Sequence, residues 1–360
     1  MEYLIEYGLF LAKTVTLVFA IIAILGALMA AGNRNRRQGN KGEISVTHLN
    51  EEFDHLSDTL KRNVLDKHAW KLLQKKERKQ QKQQAKQDAR LARKKLKATD
   101  EDEQDEARRK RVYVLNFNGD IAASAVDSLR QEISAVLALA EATDEVLLRL
   151  ESPGGMVHAY GLAASQLQRI KDNNISLTIC VDKVAASGGY MMACLADRLI
   201  AAPFAILGSI GVLVQLPNFH RVLKKNDVDY ETITAGEYKT TLTSFGEITQ
   251  KGRDKVKEEV EEMHRLFKQW VQEHRPNLDI DAISTGETWV GLQALSRNMI
   301  DTISTSDDCI LQACAEADVY EVRYEYRKSL TDRLGFAVET SLGRALKSIG
   351  TSLRNTRFYS

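Results

Sequence analysis

Apolar positions are distributed along this chain in three ways, and each predicts a different kind of structure. From Gly8 to Ala31 they run almost unbroken, with Lys13 as the interruption. The stretch from Thr14 to Ala31 approaches the roughly 20 residues a helix needs to cross a bilayer core, so it predicts a membrane anchor. From about Lys61 to Lys97 they thin out among Lys, Arg, Gln and Ala, which predicts a solvated tether, helical or disordered. Beyond Arg111 they return as short runs between amphipathic stretches.

In this last region RVYVLNFNGDI, EVLLRL (Glu145 to Leu150) and SLTICV (Ser176 to Val181) have the composition of strands. His158 to Lys171, between the second and third, reads as a helix. Alternating strands and helices imply parallel strands joined by helical crossovers, with functional groups gathered where the strands end. Farther on, LIAAPFAILGSIGVLVQL reads as short buried strands and ETITAG (Glu231 to Gly236) as a strand leading to Lys239. Thr249 to His274 places Val256, Val260, Met263, Phe267 and Val271 on one helical face. Val184 to Leu216 is apolar enough to resemble a second span, but Asp197, Arg198, several glycines and a proline inside it predict domain core. After Tyr324 the chain is basic, and Leu334, Val338, Leu342, Ala345 and Ile349 keep helical spacing, which suits packing on a neighbouring subunit or a membrane surface.

Charge changes the picture only locally. Fifty Lys and Arg against 49 Asp and Glu give a net +1, yet the tether ends in an acidic patch, DEDEQDE (Asp100 to Glu106), followed by ARRKR. No aromatic residues are interleaved with its lysines for base stacking, so nucleic acid is not an expected partner. The first apolar run could also be a cleaved signal peptide, with Ala27, Ala30 and Ala31 near its end. Its start carries Glu2 and Glu6 in place of a basic cluster, which favours an uncleaved single-pass anchor. Arg34, Arg36, Arg37 and Lys41 follow the span, and this bias would put the rest of the chain in the cytoplasm.

Four cysteines, Cys180, Cys194, Cys309 and Cys314, form no CxxC pair and have no histidine at metal-like spacing. They read as free thiols, and neither a metal nor a cofactor is expected.

The candidate chemistry lies in Ser187 of VAASGGY, in SPGG (Ser152 to Gly155) and in Lys239 of GEYKT. A serine that attacks an amide needs a proton acceptor and a holder for the oxyanion. Of the seven histidines, His48, His55 and His68 lie in the region expected to be flexible, ahead of the globular part, and His264 and His274 on the charged helix. His158 and His220 lie nearer, the latter on what reads as a polar helix face. A lysine can replace histidine only as the free amine, which its reference pKa of about 10.4 disfavours at neutral pH. Burial without a carboxylate partner lowers that value, and the immediate neighbours of Lys239 are uncharged apart from Glu237. Gly154 or Gly155 at a strand end, and Gly188 just after Ser187, could offer backbone N–H groups to the oxyanion. Each glycine motif taken alone could equally be an ordinary turn or a close-packed helix start.

Taken together, AASGGY with Ser187, GEYKT with Lys239, SPGG, Ser209 in GSIGV and TGETWVGLQALSRNMID (Thr285 to Asp301) resemble the signal peptide peptidase A family of serine proteases. The resemblance covers roughly Arg111 to Asp318. It implies an α/β fold of repeated ββα units like those of crotonases and Clp proteases, preceded here by a transmembrane helix and a charged helical linker. It makes Ser187 the nucleophile, Lys239 the general base, Gly154 and Gly188 oxyanion donors, and Ser209 the hydroxyl that orients the lysine. It also implies a homo-oligomer in which a dyad can be completed between neighbouring subunits, acting on peptide or membrane-protein substrates at the bacterial inner membrane. Family members with characterised catalytic domains act on the outer membrane face, opposite to the charge bias, so the side of the membrane stays open. The chain carries one catalytic repeat where long members carry two, and TGETWVG is expected to be structural.

The expected divisions are an anchor at 1–32, a charged linker at 33–110, a catalytic domain at 111–326 and a basic amphipathic tail at 327–360. Two other readings are a crotonase-type acyl-coenzyme A enzyme, which needs carboxylates at the site, and a noncatalytic membrane scaffold.

Overall fold

A computed structural model of the chain describes residues 42–76 and 109–326, with single positions at 13, 16, 79, 82 and 86. The expected anchor, the acidic patch and the basic tail lie outside the described residues. Among the described residues no helix is long and apolar enough to cross a membrane. The chain divides into two compact units. In the first, Met1–Glu43 with Tyr324–Ser360, the Gly42 amide donates to the Tyr324 hydroxyl at 2.8 Å. The second unit, Ile44–Arg323, contains the site.

The frame is a seven-stranded sheet in the order β1-β10-β2-β3-β4-β6-β9. Its strands are β1 (Glu43–His48), β2 (Arg111–Asn118), β3 (Glu145–Glu151), β4 (Ser176–Val181), β6 (Arg198–Ala201), β9 (Thr302–Ile303) and β10 (Asp318–Glu325). From β10 to β9 every pairing is parallel, with Val112 opposite Glu145 and Thr178 opposite Arg198. Side chains alternate across the sheet as the two-residue period of a strand demands. Tyr113, Leu115, Phe117, Val146, Leu148, Leu150, Ile179 and Leu199 enter the larger apolar cluster. Val112, Val114, Leu147, Cys180 and Ile200 enter the smaller one. Both faces are covered, which is why these strands read as nearly continuous apolar runs.

The larger cluster is completed by α2 (Val126–Leu137), α3 (Val157–Asp172) and α4 (Gly188–Ala193), and the smaller by α1 (Leu49–Val64) and α9 (Ser306–Glu316). Part of the segment expected to be linker is therefore folded. Leu49 and Phe53 of α1 pack on the smaller cluster, and Asn50 donates to the carbonyls of Cys314 and Ala317 and accepts from the Val319 amide at 2.7 Å. The charge of this segment hid the two apolar residues and one amide that dock it.

A second, three-stranded sheet in the order β5-β7-β8 joins β5 (Val184–Ala186), β7 (Ile206–Gly208) and β8 (Thr288–Val290). β5 and β7 are parallel, β7 and β8 antiparallel. Ser152, just past β3, bridges to Ala185. The end of the large sheet thus feeds directly into the small one.

Between β7 and α6 (Gln250–His274) the chain forms an exposed arm with one short helix, α5 (His220–Lys225). ETITAG, expected as a strand, is not one: no neighbouring strand pairs with it, and Ile233 is 90% exposed. Leu213 and Val214, read as buried strand, are also exposed. The arm doubles back, the Phe219 amide donating to the Ser244 carbonyl at 2.7 Å, and Phe219, Tyr230 and Phe245 pack their rings together. Helix α6 forms as its periodicity requires. Thr249 caps it by accepting from the Gly252 amide, and of the expected apolar face only Phe267 and Val271 are fully buried. Two elements not yet named, α7 (Ile280–Ile283) and α8 (Gly291–Ser296), follow it.

Candidate active site

Ser187 stands between β5 and α4 with φ 51° and ψ −118°. A non-glycine residue in such a region costs on the order of 1–3 kcal/mol and persists only where its surroundings impose it. Here the Ser187 amide donates to the Gly208 carbonyl at 2.7 Å, and its own carbonyl accepts from the Met191 amide at 3.0 Å. Its side chain makes no capping bond to α4. The residue is half-buried, so its hydroxyl is presented rather than consumed by the fold.

The SPGG loop lies against it. Gly154 has φ +88°, and a β-carbon there would lie 2.7 Å from that of Ser187 and 2.6 Å from the Ala186 carbonyl oxygen. Only glycine allows this approach. Gly188 is glycine for another reason: a β-carbon would fall 2.4 Å from the Tyr160 ring.

A buried relay fixes the loop. The Tyr160 hydroxyl donates to the Asp120 carbonyl at 2.8 Å. Its single proton is thereby spent, so the 2.5 Å contact with Ser152 has Ser152 Oγ as donor. The Ser152 hydroxyl in turn accepts from the Gly154 amide at 3.0 Å. Ser152 and Tyr160 are fully buried, and burial pushes the Tyr160 hydroxyl above its ordinary pKa. The relay has a consequence for the expected oxyanion donors. The Gly154 amide is committed to Ser152, whereas Gly155, beside it, lines the cleft together with Gly188.

Ser209, the expected orienting hydroxyl, directly follows Gly208 and has φ 51°. Its amide donates to the Glu287 carbonyl at 2.6 Å, and Trp289 sits where a β-carbon of Gly208 would be, 2.8 Å away. The TGETWV motif is the brace behind the Gly208–Ser209 turn and, through it, behind Ser187.

Lys239 is not brought to Ser187 within one chain. It is exposed on the arm, its amide donating to the Gly236 carbonyl at 3.2 Å, and it is absent from the residues lining the cleft at Ser187. Its neighbouring carboxylate, Glu237, is held by Lys251, and that ion pair lowers the Glu237 pKa. His220, the alternative base, is on α5 of the same arm and half-buried.

The cleft encloses about 300 Å³. One wall is α3, with Val157, Gly161, Ala164 and Ser165; the other is α6, with Met263, Leu266, Phe267 and Trp270; Ser187, Gly188 and Met191 close its end. Trp270 is anchored by its Nε1, which donates to the Met191 carbonyl at 3.0 Å. Among the described residues no cluster of His, Cys, Asp or Glu could hold a metal. The relay was not singled out in the sequence, and Met263 and Phe267 of α6 were read there as an apolar helix face and not as a cleft wall. Tyr160 reads there as one more apolar helix position, and nothing in the sequence announces that its hydroxyl meets Ser152.

Comparison with known proteins gives the class: residues 2–167 match "Peptidase family S49 N-terminal" and residues 169–320 match "Peptidase family S49". The chain belongs to this family and is a peptidase. Within the family it is SohB-like. It is 50% identical over 342 residues to "Probable protease SohB" of Haemophilus influenzae, covering 94% of each chain. It is 44% identical over 349 residues to "Probable protease SohB" of Buchnera aphidicola subsp. Acyrthosiphon pisum, covering 97% of this chain and 98% of the relative.

Proposed function

We propose that the chain is a membrane-anchored serine endopeptidase in which Ser187 is the nucleophile and Lys239 the general base. The observation that carries this reading is the strained Ser187 backbone, set against the SPGG loop at the end of an apolar cleft. Ser187 Oγ attacks the scissile carbonyl carbon as its proton passes to the Lys239 amine. The amides of Gly155 and Gly188 hold the oxyanion, and Gly154 serves by letting the loop approach. Lys239 then returns the proton to the leaving amine, and water releases the acyl group from Ser187. Ser209 orients the amine.

The base comes from a second copy of the chain. The arm that carries Lys239 exposes Leu213, Ile233 and Tyr238, more apolar surface than a lone subunit gains from leaving in water. Packing against a neighbour would bury it and remove Lys239 from solvent, and desolvation favours the free amine. The repeated ββα architecture of Clp-like peptidases, which work as assemblies, fits this arrangement. The first apolar run would hold the assembly at the bacterial inner membrane, and apolar peptide stretches, such as signal-peptide remnants or damaged membrane proteins, suit the apolar cleft. The described lining of the cleft holds no carboxylate, which disfavours the acyl-coenzyme A reading.

The test is acylation by a fluorophosphonate of the full chain in detergent. Labelling that is lost in Ser187→Ala is expected. An unlabelled unsubstituted chain, or labelling that survives the substitution, would overturn the assignment.

A further inference from the structure

Gly161 is a glycine for which the fold has no use. It lies inside α3, outside the positive-φ residues, and the helix runs through it regularly, with Ser165 Oγ bonding back to its carbonyl at 2.8 Å. Glycine in a helix interior is less favourable than alanine. At Gly154 and Gly188 a β-carbon would strike backbone or ring atoms, but at Gly161 it meets nothing within 4 Å. The empty space there is the cleft that ends at Ser187.

We propose that Gly161 is a specificity-determining residue: its missing side chain sets the depth of the pocket that receives the substrate side chain on the acyl side of the scissile bond. The inference rests on the peptidase reading above and adds to it the size of the accepted residue. The acyl-side α-carbon is bonded directly to the carbonyl carbon that Ser187 attacks, so its side chain is the one nearest the Ser187 end of the cleft. The two walls are unequal. Gly161 and Ala164 of α3 contribute almost no bulk, while Met263, Phe267 and Trp270 of α6 contribute most of it. A large apolar side chain, Leu or Phe, therefore lies over α3 and against α6. Growth at position 161 takes up that space first.

The experiment uses the full chain in detergent and four peptide amides that differ only in the acyl-side residue: Ala, Val, Leu or Phe. The unsubstituted chain is expected to cleave the Leu and Phe peptides best. Gly161→Ala should lower the Phe-to-Ala ratio of kcat/KM about tenfold, and Gly161→Leu about a hundredfold, the range that one or a few methylenes command in an apolar pocket. The melting temperature of Gly161→Ala should not fall, which separates loss of pocket space from loss of fold. An unchanged Phe-to-Ala ratio in both variants, with the unsubstituted chain active, overturns this inference alone. Absence of both cleavage and serine acylation in the unsubstituted chain overturns the peptidase reading and this inference with it.

Discussion

No methyl group fits between Gly154 and Ser187, because a β-carbon on the glycine would stand 2.7 Å from that of the serine. The distance is a direct coupling between the loop that ends β3 and the hydroxyl that ends β5. Gly154→Ala must therefore push the serine or the loop aside, and its φ of +88° adds strain for any L side chain. Displacement near 1 Å at a reacting group can cost about a hundredfold in rate. The variant is expected to lose at least that much kcat/KM while still melting cooperatively, measured by peptide cleavage beside thermal unfolding.

The proposed sharing of a dyad between subunits has its own signature. Ser187→Ala and Lys239→Ala are each expected to be inactive when purified alone. Co-expressed in one assembly, they should regain measurable cleavage if, as proposed, one subunit's lysine meets another's serine. Lys239→Arg should not restore turnover, since guanidinium does not give up its proton in proteins. Inactive mixed assemblies would place both groups in one chain.

Tyr160→Phe removes the acceptor for the Ser152 hydroxyl and the donor to the Asp120 carbonyl while keeping the ring that packs on Gly188. Leaving buried polar groups unpaired costs about 1–3 kcal/mol, so the denaturation midpoint should fall accordingly. Ser152→Ala breaks the same relay, and the double variant should be destabilised by clearly less than the sum of the two. Additive losses would show that the relay does not act as a unit.

Asp301 links three elements, accepting from the Leu199 amide at 2.7 Å and from two Arg275 nitrogens at 2.9 and 2.8 Å. Burial alone would raise its pKa, but the Arg275 hydrogen bonds, the Leu199 amide and the nearby positive charges outweigh it and lower the value. A carboxylate so depressed stabilises the fold above its unfolded pKa, and that contribution disappears as pH falls through the lower folded value. Asp301→Asn should melt below the unsubstituted chain at neutral pH, with the gap narrowing below about pH 4. Water reaches the pair and screens it, so the gap should be modest. A gap constant from pH 7 to pH 2 would remove the ion pair from the account.

Much of the frame was legible in the sequence. The runs at Arg111, Glu145 and Ser176 are the central parallel strands, because each has an apolar set on both faces and a turn at its end. Ser187 and Gly188 were visible as a serine followed by glycines after an apolar run. What stayed hidden depends on partners distant in sequence. β5 is three residues long and is a strand only because β7 and Ser152 flank it. The docking of α1 turns on Asn50 reaching residues beyond position 310. ETITAG shows the opposite failure: strand-like composition without a neighbouring edge does not make a strand.

The brace behind Ser187 also orders events in time. Gly208 holds the serine amide, and Glu287 and Trp289 hold the Gly208–Ser209 turn, yet these residues leave the ribosome long after the serine does. A nascent polypeptide thus bears Ser187 before it bears the struts that aim it, and a copy truncated ahead of Glu287 would present this serine without its brace.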